Sequence, residues 1–308
     1  MKKRLGKWSA GALAVLVIFG STLEVVQAEP LRTVSQWQQR AEKLRGERQL
    51  RAYDEAIDQY PAYVDFYLRR GKIHLQRGES QLAKLDFDKA ILLDDKNAAA
   101  YTGRAEERAC AGDSQGAWLA YEQAIKLDDK NPLIFQSRAH FYYEGLADYR
   151  QAFADYDQAA KLVTAEDDPR RLKIALQKLG AQLKYATFQN GYYGTVVNSV
   201  DSILGMKKQK LSPRQLEYLY ISRCVANYEL EQYSEALRDS QQVLRLMDSD
   251  PSKHARILQR QSRILTKMGI EPAAKAAMKA ALRCNPKLLV DRQYELDKDL
   301  VGWQQEVW

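Results

Sequence analysis

The chain has 308 residues, of which 45% are hydrophobic and 28% are charged, and its formal net charge is +7. This composition supplies enough apolar residues for a continuous core and excludes an intrinsically disordered chain. Basic clusters such as Lys207 to Lys210 lie among nearly as many carboxylates, so the charge predicts a solvated helical surface and no nucleic-acid partner.

The first 28 residues predict a targeting segment. A basic start is followed by an apolar run from Ala10 to Phe19 and by the small-residue site Val26-Gln27-Ala28, the pattern of a bacterial secretory signal peptide. The run is shorter than the roughly 20 apolar residues of a membrane-spanning helix. We therefore expect an exported protein of the periplasm or cell envelope. The alternative is an uncleaved helix that anchors the chain in the inner membrane.

The next segment, 29–63, predicts a degenerate first repeat or N-terminal cap. From Leu31 to Arg51 the pattern is helical but polar, which predicts one worn helix. A shift of 34 residues places Ala56 and Ile57 on the alanine and isoleucine at 90 and 91 of the segment that follows.

An internal repeat runs from Val64 to Asn131. Its two halves, offset by 34 residues, match at 14 positions, where shared composition would give roughly two. The matched positions hold aromatic, small and turn residues: Tyr67/Tyr101, Gly78/Gly112, Ala83/Ala117, Ala90/Ala124, Ile91/Ile125 and the Leu-Asp-Asp-Lys-Asn run at 93–97 and 127–131. A 34-residue period of this kind resembles the tetratricopeptide repeat, a helix-turn-helix unit.

The resemblance continues after Asn131, but the repeat length is less regular there. It implies three regular units over 64–166, a divergent unit over 167–210 and two units over 211–286. Cap residues followed by proline predict helix starts independently of the family. These pairs are Asn131-Pro132, Asp168-Pro169, Ser212-Pro213, Asp250-Pro251 and Asn285-Pro286.

The predicted fold is all-α, a right-handed α-solenoid of about six to seven tetratricopeptide-like repeats. Residues 287–308 predict a C-terminal capping helix, and no strand-like alternation competes with the helical pattern.

No catalytic pattern accompanies the repeats. The chain has three histidines without metal-ligand spacing and three cysteines without a CxxC pair. We therefore expect no enzyme activity, no cofactor and no metal site. His74 is expected to have a buried structural role, and Cys110, Cys224 and Cys284 are expected to be separate, mostly buried thiols.

The family resemblance implies a concave groove that is lined by fixed positions of the first helix of each unit. Those positions predict a groove that is mixed at one end, aromatic in the middle and basic at the other. The candidate partner contacts are Lys72, Glu106, His140, Tyr143, Tyr185, Phe188, Tyr218, Tyr228, Arg256, Arg263 and Lys267. The alternative is that Tyr143, Tyr185 and Phe188 pack beneath neighbouring repeats.

Exposed aromatic rings beside basic groups are what a peptide-binding surface requires. The sequence therefore predicts a non-enzymatic scaffold of the bacterial envelope that binds a peptide or partner helix in its groove. A second hypothesis is a structural subunit of a membrane-tethered secretion, pilus or cell-wall assembly, and a third is an enzyme with a site between repeats.

Overall fold

The computed structural model describes residues 14–19, 22–27, 32–247 and 250–286, with 14–19, 22–27 and Asn190 described by their backbone alone. The chain divides into two compact units, Met1–Asp129 and Lys130–Trp308, called here the N-terminal and C-terminal units. Most of the predicted signal segment and the whole predicted capping helix, 287–308, lie outside the described residues.

The N-terminal unit begins with two short antiparallel strands, β1 (Ala14–Phe19) and β2 (Thr22–Gln27), with Ala14 opposite Gln27. No strand was expected from the sequence. Three helix pairs follow. They are α1 (Val34–Lys43) and α2 (Glu47–Gln59), α3 (Val64–Gln76) and α4 (Ser80–Leu93), and α5 (Ala98–Cys110) and α6 (Ser114–Leu127).

One helix prediction in this unit was wrong. The single helix expected from Leu31 to Arg51 is divided between α1 and α2, because the backbone is extended at Leu44 and Gly46, which precedes α2, has a positive φ of 61°. The Trp37 indole on α1 donates a hydrogen bond of 2.6 Å to the Gln59 side chain at the end of α2. The two helices therefore form a pair like those that follow.

The C-terminal unit contains four further pairs within the described residues. They are α7 (Pro132–His140) and α8 (Tyr149–Leu162), α9 (Pro169–Phe188) and α10 (Tyr193–Leu204), α11 (Pro213–Glu229) and α12 (Tyr233–Leu246), and α13 (Pro251–Lys267) and α14 (Glu271–Cys284). A π-helical turn, Phe141–Gly145, extends α7, and a 3₁₀ turn, Asn190–Tyr192, precedes α10.

Four of the predicted cap-proline pairs begin helices. The side chains of Asn131, Asp168, Ser212 and Asp250 each accept a hydrogen bond from a backbone N–H in the first turn of α7, α9, α11 and α13. Ser212 and Gln215 also form a capping box at the start of α11. The helix predicted after the fifth pair lies beyond the described residues.

Close helix packing explains the small repeat residues. Ala83, Phe87 and Ala90 of α4 are fully buried, and the Phe87 ring fills the space beside α3 and α5. A Cβ at Gly103 on α5 would lie 2.3 Å from Phe87 Cε1. The recurring small residues of the repeat thus allow an aromatic ring to pack against the neighbouring backbone.

The turn inside five of the pairs has a common hydrogen bond. In four of them a backbone N–H after the turn bonds to the carbonyl five residues back, as from Glu79 to His74 at 2.8 Å. In the pair of α7 and α8 the donor is Asp148 and the acceptor is Tyr142, six residues back, so the π-helical turn accommodates one extra residue. The residue with positive φ is Gly78, Gly112, Ala147, Glu231 or Gly269.

A basic side chain on the first helix of several pairs bonds to two carboxylates. Arg70 bonds to Asp86 of its own pair at 2.6 Å and to Asp54 of the preceding pair at 2.7 Å. Arg223 likewise bonds to Asp239 at 2.7 Å and to Asp201. Related bridges join Arg138 to Asp155, Arg104 to Asp88 and Lys178 to Asp157.

The histidine at position 74 and the three cysteines do not form a reactive cluster. The His74 Nδ1 atom lies 2.6 Å from Glu79 Oε2 and closes the turn between α3 and α4. All three cysteines are free, but the expectation of mostly buried thiols was wrong, since Cys110 is exposed and Cys284 half-buried. Within the described residues, no group of three His, Cys, Asp or Glu side chains could hold a metal ion.

Among the same residues, none of the helices combines the length and apolar character required to cross a membrane.

Candidate protein-binding surface

Five aromatic residues come together in the C-terminal unit, where α8 packs against α9. Asp148 caps α8 through a bond from the Gln151 N–H, which places Tyr149 and Phe153 on its first two turns. The 20-residue helix α9 carries Tyr185 and Phe188 to this point, and the 3₁₀ turn after it carries Tyr192. We call the following set the aromatic surface: Tyr149, Phe153, Tyr185, Phe188 and Tyr192.

The rings of the aromatic surface contact each other in defined orientations. Phe153 and Tyr192 are stacked, with centroids 5.5 Å apart and planes 11° apart. Tyr185 stands edge-on to both, at 5.7 Å and 4.9 Å. Tyr149 joins them to Phe188 through contacts of 5.3 Å with Tyr185 and 6.3 Å with Phe188. Such offset and edge-to-face pairs fix the rings and leave them little conformational entropy to lose on binding.

A cleft of about 300 Å³ opens among these rings. Its walls are Arg150, Phe153, Tyr185, Gln189, Gly191 and Tyr192. Beside it, the Phe188 side chain is 68% exposed, which is unusual for a residue of this size. An open apolar cleft next to a protruding ring can accept one apolar side chain of a partner and cover it.

Two exposed basic side chains lie near the cleft, and the phenols around it are neutral. Arg150 and Lys184 are exposed, and Lys184 Nζ lies 5.1 Å from the centroid of the Tyr143 ring. Burial, helped by the Glu144 carboxylate, raises the pKa of Tyr143, and burial also raises the pKa of Tyr192. Both hydroxyls therefore stay protonated at neutral pH and can donate hydrogen bonds.

Four of the candidate contacts predicted from the sequence meet here. His140 is exposed and lies 6.3 Å from Tyr143, which reaches Tyr149 at 6.1 Å. Tyr185 and Phe188 belong to the aromatic surface itself. Tyr143 is only 7% exposed, so its predicted role as an exposed contact does not fit the structure. Its ring contacts Tyr149 of its own helix pair and lies beneath Lys184 of the next pair.

The other candidate contacts of this unit lie on α11 and α13. Tyr218 is fully buried in the core around α10 and α11, so it cannot be an exposed contact. Tyr228 is half-buried and meets Tyr233 edge-on at 5.7 Å. Arg256 and Lys267 are exposed, while burial lowers the pKa of the half-buried Arg263.

The remaining two candidates belong to the N-terminal unit. Lys72 on α3 is exposed and Glu106 on α5 is half-buried. Neither belongs to an aromatic cluster of the kind found in the C-terminal unit.

Tyr149, Phe153 and Tyr192 were not among the predicted contacts. The predicted contacts lie on the first helix of each unit, whereas these three residues lie on a second helix and a turn. A signal was present, because Tyr149 and Phe153 are four residues apart and Tyr185 and Phe188 three apart, spacings that place side chains on one face of a helix.

Solved structures with similar backbones are repeat proteins. Part of a TPR repeat-containing protein from Cytophaga hutchinsonii matches with a TM-score of 0.60 and 14% identity, over 87% of this chain and 96% of that one. PilF of Pseudomonas aeruginosa matches with a TM-score of 0.53 and 17% identity, over 79% and 97%.

PilW, described as a widely conserved type IV pilus biogenesis factor, matches with a TM-score of 0.52 and 18% identity, over 74% of this chain and 95% of that one. No protein-family model matches the chain, and no curated protein matches it in sequence. The likeness in structure shows that the chain has the tetratricopeptide-repeat α-solenoid fold, and the prediction of fold class is confirmed.

Proposed function

We propose that this chain is a non-enzymatic scaffold that holds a segment of a partner protein on the aromatic surface. The observation that carries the proposal is the exposed Phe188 ring beside a cleft of about 300 Å³ that three further rings surround. A phenylalanine with most of its side chain in solvent contributes little to the core of its own chain. Covering it by a partner would remove its apolar area from water, at about 25 cal/mol for each Å².

The surface has the composition of a binding hot spot. Tyrosine and arginine are enriched where alanine substitution costs a complex most, because they combine a large contact area with directed hydrogen bonds. Arg150 and Lys184 add donors for carboxylates at the edge of the rings. We expect the bound segment to be an extended peptide or a helix that presents an apolar side chain to the cleft.

The envelope is the proposed location. The signal-like pattern of residues 1–28 supports it, as does the likeness in fold to a type IV pilus biogenesis factor. The mature chain would then begin at Glu29 and act in the periplasm.

Affinity capture from envelope extracts tests the aromatic surface. The full chain should retain a partner, and Phe188→Ala should reduce retention by about tenfold or more, as is typical of a hot-spot residue. Leu282→Ala on α14 is the matched control, because Leu282 is also exposed but lies outside the surface. Both variants should keep the helical circular dichroism spectrum. Equal retention by Phe188→Ala and the control would contradict the proposal.

The likeness in fold to a type IV pilus biogenesis factor also supports a second candidate function, a structural subunit of a membrane-tethered assembly. In that case the N-terminal segment would stay attached. Mass spectrometry of the protein isolated from cells separates the two: a chain that begins at Glu29 removes the tether, and a chain that keeps residues 1–28 supports it.

A further inference from the structure

A second surface lies in the N-terminal unit, on the outward sides of α4 and α6. The exposed residues of these two helices include five large apolar side chains, three lysines and two glutamines, and no carboxylate is among them. We call this set the leucine-lysine face: Leu82, Leu85, Leu92, Trp118, Leu119, Lys84, Lys89, Lys126, Gln81 and Gln115.

The same positions in the other helix pairs are different. Leu85 and Leu119 are the sixth residues of α4 and α6, where α8 and α14 carry alanine and α12 carries Arg238. Leu92 is the thirteenth residue of α4, where each of the other three helices has lysine or arginine. The repeat thus does not require a leucine at either position. The Leu85 and Leu92 side chains are 63% and 77% exposed.

The second helix of the preceding pair, α2, has a different set of exposed residues. They are all charged, and they include four carboxylates: Glu47, Asp54, Glu55 and Asp58. On α4 and α6 the carboxylates of Asp88 and Glu122 are only half exposed, and Asp88 is bonded to Lys84 at 3.1 Å. The outward charge of the leucine-lysine face is therefore positive.

We propose that the leucine-lysine face binds the surface of an anionic lipid membrane. Leucine and tryptophan side chains beside lysines are the composition of protein segments that lie in the membrane interface. Each lysine near an anionic surface is attracted by the headgroups, and each apolar side chain that enters the interface leaves water. This inference goes beyond the proposed scaffold function and does not depend on it.

A lipid surface fits the shape of this face better than a protein partner does. The Leu85 and Leu92 side chains protrude from the helix, with 63% and 77% of their surface exposed. Protruding side chains enter a fluid interface without a matching wall, whereas a protein partner would need complementary pockets. The absence of exposed carboxylates on α4 and α6 also avoids repulsion from anionic headgroups.

Vesicle sedimentation of the full chain tests the proposal. The chain should sediment with vesicles of mixed phosphatidylethanolamine and phosphatidylglycerol more than with phosphatidylcholine vesicles, and added salt should release it. Replacing Leu85 and Leu92 together by alanine should lower the partition coefficient by about tenfold or more. Lys89→Gln and Lys126→Gln should each lower it about fivefold.

Matched controls separate this face from the rest of the chain. Residues 1–28 are the same in every variant, so a difference between variants cannot arise from the apolar N-terminal segment. Leu282→Ala removes an exposed leucine elsewhere and should leave partition unchanged. A blue shift of fluorescence on vesicle addition should be smaller in Trp118→Phe than in the unmodified chain.

Three results would overturn the membrane assignment. One is equal sedimentation of the leucine variant and the unmodified chain. Another is self-association that the leucine variant loses, seen by sedimentation velocity, which would make the face a contact between copies. The third is an acidic protein retained by the unmodified chain, lost from the leucine variant, with no vesicle binding by either.

Discussion

Helices α3 to α6 of the N-terminal unit and helix α9 of the C-terminal unit differ in where their phenylalanine and tyrosine rings lie. In α3 to α6 the rings of Phe66, Phe87 and Tyr121 are almost completely buried between helices. In α9 the core positions are filled by leucines at 172, 176, 179 and 183, and Tyr185 and Phe188 are turned outward. Where aliphatic side chains form the core, aromatic residues become available for recognition.

The largest expected effect contrasts two phenylalanines. Phe87→Ala should lower the free energy of unfolding by about 3–5 kcal/mol, because it leaves a cavity between packed helices. Phe188→Ala should change it by less than about 0.5 kcal/mol, since the ring is mostly exposed. Urea denaturation followed by circular dichroism measures both. A loss of comparable size in the two variants would mean that the aromatic surface is also part of the core.

A second contrast concerns two glycines. Gly103→Ala should cost about 1–3 kcal/mol, because its Cβ would lie 2.3 Å from Phe87 Cε1 and the ring cannot shift within a closed core. Gly191→Ala, at the cleft, has no heavy atom within 4 Å of the new Cβ and should be close to neutral. Thermal unfolding of the two variants gives the comparison, and a destabilised Gly191→Ala would contradict it.

A smaller effect is expected at the turn between α11 and α12. Glu231 has a φ of 60°, which costs a residue with a side chain roughly 1 kcal/mol, while the equivalent turns of the N-terminal unit use glycine. Glu231→Gly should therefore raise the free energy of unfolding by about 0.5 kcal/mol after the entropy that glycine loses on folding. Gly269→Ala, at φ 74°, is the reverse control and should destabilise the protein.

The smallest effect is a pH dependence of the first regular repeat. A hydrogen bond with His74, together with Arg77, lowers the pKa of Glu79 below its usual 4.5. Since the folded-state pKa is the lower one, this carboxylate stabilises the fold above about pH 4.5, and the contribution is lost as pH falls through the folded-state pKa.

Glu79→Gln tests that dependence, because glutamine is the residue of the equivalent turn at 232. The thermal midpoint of the variant should change less than that of the unmodified chain between about pH 6 and about pH 3. An equal change in both would show that other carboxylates determine the acid sensitivity.

The helices were largely predictable because their signals are local. The 34-residue period, the small residues at 83 and 90 and the cap before each proline are readable without knowledge of distant contacts. The division at Gly46 was missed because the polar residues on both sides continue a helical pattern. A glycine among charged residues does not reveal a positive φ by itself.

The candidate surface was less predictable because exposure depends on contacts across the fold. Tyr218 and Phe188 both occupied groove positions in the sequence, yet one is in the core and the other in solvent. The exposure of each side chain depends on the leucines of α9 and on the packing around α11. The sequence pattern of a single helix does not show these contacts. The paired arginines and aspartates 16 residues apart were also present in the sequence and were overlooked.

The regular repeat of α3 and α4 carries ion-pair partners for the repeats on both sides of it. Arg70 reaches back to Asp54, and Asp88, on the second helix of the same pair, receives Arg104 of the next. One 34-residue segment therefore encodes both a donor for its predecessor and an acceptor for its successor. When such a segment is duplicated in the gene, the new copy carries compatible charges at both ends, so the array can lengthen without new interface residues having to evolve.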